Sequence, residues 1–181
     1  MEILYAVLFI VIVIGAIAIL YIYQYNKLQH SKTKIDQAEY LIDESLRSKY
    51  DLLLEADIFT MKELNNDKSF FKGLDKLKKE NISNFDLDRR FKDYSGVLNQ
   101  LKADYIDLAS NKEFKRIIND NKRIDEKLQA AKSFYNKYTS ELNDLIRKFP
   151  SNIVARMHGM EIKAFFDGKN MQDEIFDDFK L

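Results

Sequence analysis

The sequence predicts an all-α protein: an N-terminal transmembrane helix, then an antiparallel bundle of three long helices and a short C-terminal helix. Three observations carry this. Residues Ile3 to Tyr23 form one uncharged, almost wholly apolar run. Two later stretches, Leu87–Leu108 and Phe114–Phe149, repeat apolar residues at alternating steps of three and four, the spacing of a helix face. The 181-residue chain also has only five glycines and one proline, too little punctuation for a β-rich fold.

The apolar run comes first. As a helix rising about 1.5 Å per residue it reaches roughly 30 Å, the hydrocarbon thickness of a bilayer. Tyr5 lies near one end and Tyr21, Tyr23 and Tyr25 cluster at the other, where amphipathic rings prefer to sit. A cleavable signal peptide needs a basic leader, a shorter apolar core and a small-residue cleavage site. Met1 and Glu2 are not basic, and the run ends Tyr-Ile-Tyr-Gln-Tyr, so the expectation is an uncleaved signal anchor. Lys27, Lys32 and Lys34 follow the span, and positive charge favours the cytoplasmic side. The organisation expected is therefore residues 1–2 outside, 3–23 across the membrane, a helical domain over 24–166 in the cytoplasm, and an acidic tail over 167–181.

The first helix of that domain leaves the membrane without a break. Leu28, Ile35, Ala38, Ile42, Leu46, Tyr50 and Leu53 share one face, with Asp43, Glu44, Arg47 and Lys49 off it. The pattern runs to about Leu64, which carries the far end roughly 60 Å from the bilayer. Residues 65–85 form an irregular connector in which Lys68, Lys72, Lys76, Lys78 and Lys79 surround Phe70, Phe71, Leu74 and Leu77. It reads either as a solvated connector pinned by its aromatics or as a basic-aromatic patch for acidic partners or anionic lipid.

Leu87, Phe91, Tyr94, Leu98, Leu101, Tyr105 and Leu108 make a heptad on the second long helix, with Asn84 or Asp86 as its cap. Asn111 caps the third, along which Phe114, Ile117, Asn121, Ile124, Leu128, Ala131, Tyr135, Tyr138, Leu142, Leu145 and Phe149 form a coiled-coil seam without a slip. Asn121 is the strongly polar member: it is either a buried residue that fixes register or a hydrated one at a frayed end. Pro150 ends this helix or opens the next, a short one over Ser151–Met157 with Ile153, Val154 and Met157 inward and Gly159 as C-cap. Ile162, Phe165 and Phe166 are a final packing strip. In the acidic tail, Ile175, Phe176 and Phe179 offer a docking segment, against the alternative of disorder.

Several of these residues stand in an order that resembles the LemA family of bacterial membrane-anchored helical proteins. Tyr105-Ile106-Asp107-Leu108, then Asn111 and Phe114, resembles that family's Tyr-Pro-x-Leu…Asn-x-x-Phe stretch. Ala131, Phe134-Tyr135-Asn136, Tyr138, Asn143 and the turn Phe149-Pro150-Ser151-Asn152, with Ala155 and Gly159, resemble its Ala-Arg-x-x-Tyr-Asn…Phe-Pro-x-Asn signature. Tyr25-Asn26-Lys27-Leu28 and Ile42-Asp43…Tyr50-Asp51-Leu52-Leu53 extend the match toward the N-terminus. Leu54 and Ile106 stand where the family has proline, so both helices are expected to continue through. The resemblance implies fold and membrane attachment. It implies no catalytic set, although one branch of relatives is associated with forming bacterial organelle membranes.

The chemistry of the remaining residues points the same way. Twenty-nine basic side chains balance 29 acidic ones and there is no cysteine, which leaves no global field for nucleic acid and no thiol chemistry. His30 and His158 lack metal-ligand spacing and read as surface residues, and no glycine-rich phosphate loop exists. In the Phe149–Asn152 turn, Pro150 suits a first helical turn, Asn152 satisfies free donors and Phe149 packs. No enzyme, cofactor or metal is expected. The principal reading is a membrane-anchored helical scaffold, a homo-oligomer that organises or shapes the bacterial cell membrane. The alternative is a single-pass adaptor that docks a protease, transporter or signalling protein through the tail or residues 65–85.

Overall fold

A computed structural model describes residues 1–77 and 82–167. Among these residues every regular element is a helix: α1 (Glu2–Glu63), α2 (Leu74–Leu77), α3 (Asn84–Asp104), α4 (Ile106–Ser110), α5 (Lys112–Arg147) and α6 (Ser151–Met157). The docking residues Ile175, Phe176 and Phe179, like Lys78 and Lys79, lie outside the described residues. The chain divides into two compact units: Met1–Gln37 with the segment from Phe134 onward, and Ala38–Ser133.

Helix α1 runs 62 residues without interruption. Leu54 keeps the backbone donor that a proline would remove, so the helix passes through this point. Every residue from its start to Leu20 is exposed. The stretch is apolar on every side, so no face is selected for burial against protein. The alternation of buried and exposed positions begins at Leu28.

In the first unit, Leu28, Ser31 and Ile35 of α1 are buried, as are Tyr135, Thr139, Leu142 and Asn143 of α5. Helix α6 adds Ser151, Val154 and Ala155, the small i, i+3, i+4 stripe that permits close approach. This corrects the expected inward set: Ile153 and Met157 are exposed, and so is Phe149. Gly159 takes φ +59°, and Met160 N–H reaches the Ala155 carbonyl at 2.9 Å. That is the left-handed closure expected at this glycine.

In the second unit, Ala38, Ile42, Leu46, Leu53 and Ala56 supply the buried face of α1, with Phe91, Leu98 and Leu101 from α3 and Phe114, Ile117 and Leu128 from α5. The connector supplies core rather than only surface: Phe71, Leu74 and Leu77 are buried while Lys68, Lys72 and Lys76 stay exposed. Tyr94 Oη donates to the Lys72 carbonyl at 3.0 Å, and Phe70 N–H donates to Asp57 Oδ1 at 3.1 Å.

Two expectations about α3 change. Its cap is Ser83, whose Oγ accepts from Asp86 N–H at 3.1 Å and donates to Asp86 Oδ2 at 2.7 Å, so the cap hydroxyl satisfies a free backbone donor of the first turn. The helix also stops at Asp104 instead of running to Leu108. Tyr105 is extended at φ −122°, ψ 95°, and α4 starts at Ile106, where the family resemblance places proline. The break turns Tyr105 and Ile106 outward while Leu108 remains buried. The bend forms with no proline to impose it. Asn111 then caps α5 through Oδ1, which accepts from Glu113 N–H at 2.8 Å.

Candidate functional site

Three polar or aromatic constellations are built on this frame, one in the second unit and two in the first. The first surrounds Asn121. This residue is 8% exposed and sits within α5, not at a frayed end. Its Oδ1 accepts from Ser95 Oγ at 3.3 Å, and its Nδ2 donates to Asp125 Oδ2 at 3.4 Å. Asp125 also pairs with Lys49 of α1. Lys49 was expected off the buried face, yet its side chain is 1% exposed against 41% for Asp125. A lysine stem can follow apolar surface while its ammonium finds a partner, and the carboxylate 76 positions away supplies one. Beside this lies an open groove whose walls include Asp88, Ser95, Asn121, Asp125 and Lys132. Lys132 meets buried Asp88 at 2.9 Å. Further along α5, Arg116 bonds Glu113, Asp120 and Glu55, and its guanidinium holds the Glu113 carboxyl below the ordinary carboxylate range.

The second constellation fastens residues 160–167 to α5. Asn143 is fully buried. Its Nδ2 donates to the Lys163 carbonyl at 2.8 Å, and its Oδ1 accepts from Lys163 N–H at 2.9 Å. One amide side chain thereby satisfies both backbone groups of a residue outside regular structure, as a neighbouring strand would. Tyr135 Oη donates to the Ala164 carbonyl at 3.1 Å, and Phe166 N–H donates to Asn136 Oδ1 at 2.9 Å. The Phe166 ring meets Tyr135 edge-on at 6.4 Å. The expected packing strip is thus held mainly through its backbone, with Phe165 and Phe166 half-buried and Ile162 exposed.

The third joins the end of the apolar run to the end of α6. Tyr21 Oη lies 2.7 Å from His158 Nε2, and the Tyr25 ring lies 4.6 Å from the imidazole. Tyr21 and Tyr25 stack with planes 5° apart. Both are half-buried, while Tyr5, Tyr23 and Lys27 are exposed. His158 was expected as an ordinary surface residue. Its partner is 137 positions away, and no spacing rule connects them. Tyr138 packs against Phe134 at 4.7 Å and takes the His30 edge at 6.1 Å.

The Phe149–Asn152 turn departs from its sequence reading. Phe149 is exposed, and the side-chain oxygen of Asn152 is buried without a partner. The free ends at this turn are met instead by Ser151 Oγ, which donates to Leu145 and Lys148 carbonyls, and by Asn152 N–H, which donates to the Lys148 carbonyl at 2.9 Å. Among the described residues, no three His, Asp or Glu side chains converge to hold a metal ion.

The unequal burial of Lys49 and Asp125 sets an unequal response to mutation. Asp125→Ala strands a buried ammonium and should destabilise by about 3 kcal/mol or more, whereas Lys49→Met leaves a carboxylate that water can reach and should cost less than about 1 kcal/mol. Denaturant unfolding of the two variants checks the order; equal losses would contradict it. Asn121→Leu leaves Ser95 bonded to the Phe91 carbonyl and Asp125 paired with Lys49, so it should raise Tm by about 2–4 °C for each kcal/mol gained. An unchanged Tm would mean that Asn121 is already hydrated.

Comparison with curated proteins and with solved structures gave no match. The family model that does match is the LemA family, over residues 42–176, which takes in the Asn121 network, the Asn143 clamp and α6. The chain belongs to the LemA family.

Proposed function

We propose that this protein is a membrane-anchored helical scaffold that self-associates and organises or shapes the bacterial membrane, with no catalytic activity. The observation that carries the reading is the first part of α1. Its most apolar 18-residue window has mean hydropathy 3.2 and is 0% buried. An exposed apolar surface of that extent needs a cover, and a helix of this length matches a bilayer. The lysines that follow the span favour a cytoplasmic helical domain.

An antiparallel helical bundle in the second unit is supported by the order of its pairs. Lys49 pairs with Asp125 and Glu55 with Arg116, so α5 descends as α1 ascends. Asp88 pairs with Lys132 and Ser95 with Asn121, so α5 also runs against α3. In this arrangement α1 and α3 point the same way. Such a domain offers long helical faces for association and keeps buried Lys49 and Asp88 paired.

The scaffold reading is tested by the particle mass of the full-length protein, extracted gently from membranes, beside that of residues 26–181. A defined homo-oligomer that needs the anchor is expected. A monomer, or one copy bound to a different protein, would favour an adaptor instead. Orientation is tested by an impermeant thiol reagent on intact cells carrying Glu2→Cys or Lys115→Cys. Reaction at position 2 alone is expected, and reaction at 115 alone reverses the topology.

A further inference from the structure

Helix α6 and the turn before it leave their largest apolar side chains outside. Phe149 is 79% exposed, Ile153 52% and Met157 68%. Ile153 and Met157 are four apart and share one helix face, opposite to buried Val154 and Ala155. In water this arrangement has no physical advantage, because the buried stripe is made of small residues and the large ones are left outside. Exposed Arg147, Lys148 and Arg156 lie beside them in sequence, with Lys148 paired to Asp144 at 2.9 Å.

The height of this patch along α1 is fixed by two contacts. Tyr138 meets His30, and His158 meets Tyr21 and Tyr25. The chain from 138 to 158 therefore descends from the level of residue 30 to that of residues 21–25, the end of the apolar run. Met157 adjoins His158, and Ile153 is one turn away, about 6 Å along the helix. The polar zone on each side of a bilayer's hydrocarbon is itself about 5–8 Å thick. The exposed residues of α6 thus fall at the height where hydrocarbon gives way to headgroups.

We propose that Ile153 and Met157, with Phe149, enter the headgroup–acyl boundary of the same bilayer that α1 spans, making α6 a second, interfacial membrane contact. An apolar face with exposed arginine and lysine beside it in sequence suits that boundary and favours anionic lipid. The contact joins a far part of the chain to the membrane and fixes the rotation of the first unit about α1. It rests on the reading of residues 3–23 as membrane-spanning.

The chain has no cysteine, so single cysteines introduced as Ile12→Cys, Ile153→Cys, Met157→Cys and Lys115→Cys can each carry an environment-sensitive fluorophore. The full-length protein is reconstituted in phosphatidylcholine vesicles containing phosphatidylglycerol, with nitroxide lipids that quench either near the headgroups or at the bilayer centre. Labels at 153 and 157 should be blue-shifted and quenched by the shallow nitroxide, the label at 12 by the deep one, and the label at 115 by neither. If 12 is quenched while 153 and 157 behave like 115, the interfacial contact is wrong and the anchor stands. Blue-shifted labels at 153 and 157 that no lipid quenches would mean that protein covers α6, which also overturns the proposal. Absence of quenching at 12 removes the spanning reading and the interfacial contact together.

Discussion

Helix α1 changes character between Tyr23 and Leu28, and the placement of the first unit depends on that change. Before it, side chains are apolar on every side and exposed; after it, one face alone is apolar and buried. A backbone entering hydrocarbon must satisfy its polar groups internally, and an uninterrupted helix does so on both sides of the transition. No hinge separates the apolar run from the first buried residue. Tyr21 and Tyr25, held against His158, therefore fix the height of the chain's return to the start of the domain.

Lys49, Asn121 and Asn143 show how polar groups inside the folded units find partners, while Thr139 Oγ1 and Asn152 Oδ1 are buried with none among the described residues. Lys49 is among the largest fully buried side chains, and its charge is offset by a carboxylate that remains partly hydrated. Sharing a pair unequally in this way reduces the desolvation cost, since one of the two ions stays in contact with water. Asn121 and Ser95 extend the chain of bonds from Asp125 to the Phe91 carbonyl. A seam that includes such a network favours one alignment of α1, α3 and α5, because a shift by one turn would leave Lys49 buried without its partner.

The Asn143 clamp solves a different problem. Beyond Met160 the segment to residue 167 lies outside regular helix, and a segment packed on α5 cannot leave its backbone groups unbonded. Asn143, Tyr135 and Asn136 supply donors and acceptors from one helix. Their presence in the stretch that resembles the LemA signature has a physical basis: an amide at 143 can meet both the N–H and the carbonyl of Lys163, which an apolar residue there could not.

Much of this was legible in the sequence because it is local. An apolar run of bilayer length, a 3–4 repeat, Asn111 ahead of a helix and Gly159 after one act over a turn or two, and residue order alone fixes them. The sequence also marked Asn121 as the polar member of a seam, though not whether it was buried. What it could not give are contacts made across the fold. Lys49 reads as a surface lysine until Asp125 arrives from α5, and His158, exposed as its sequence reading expects, gains Tyr21 as a partner that the sequence does not show. On α6, Val154 is buried as expected, while close packing places Ser151 and Ala155 beside it and leaves the larger Ile153 and Met157 outside. The break at Tyr105 is not visible in the sequence because the heptad spacing continues through it to Leu108. Periodicity determines which elements form; the partners brought together by the tertiary structure decide which charges can be buried and which apolar side chains are left outside.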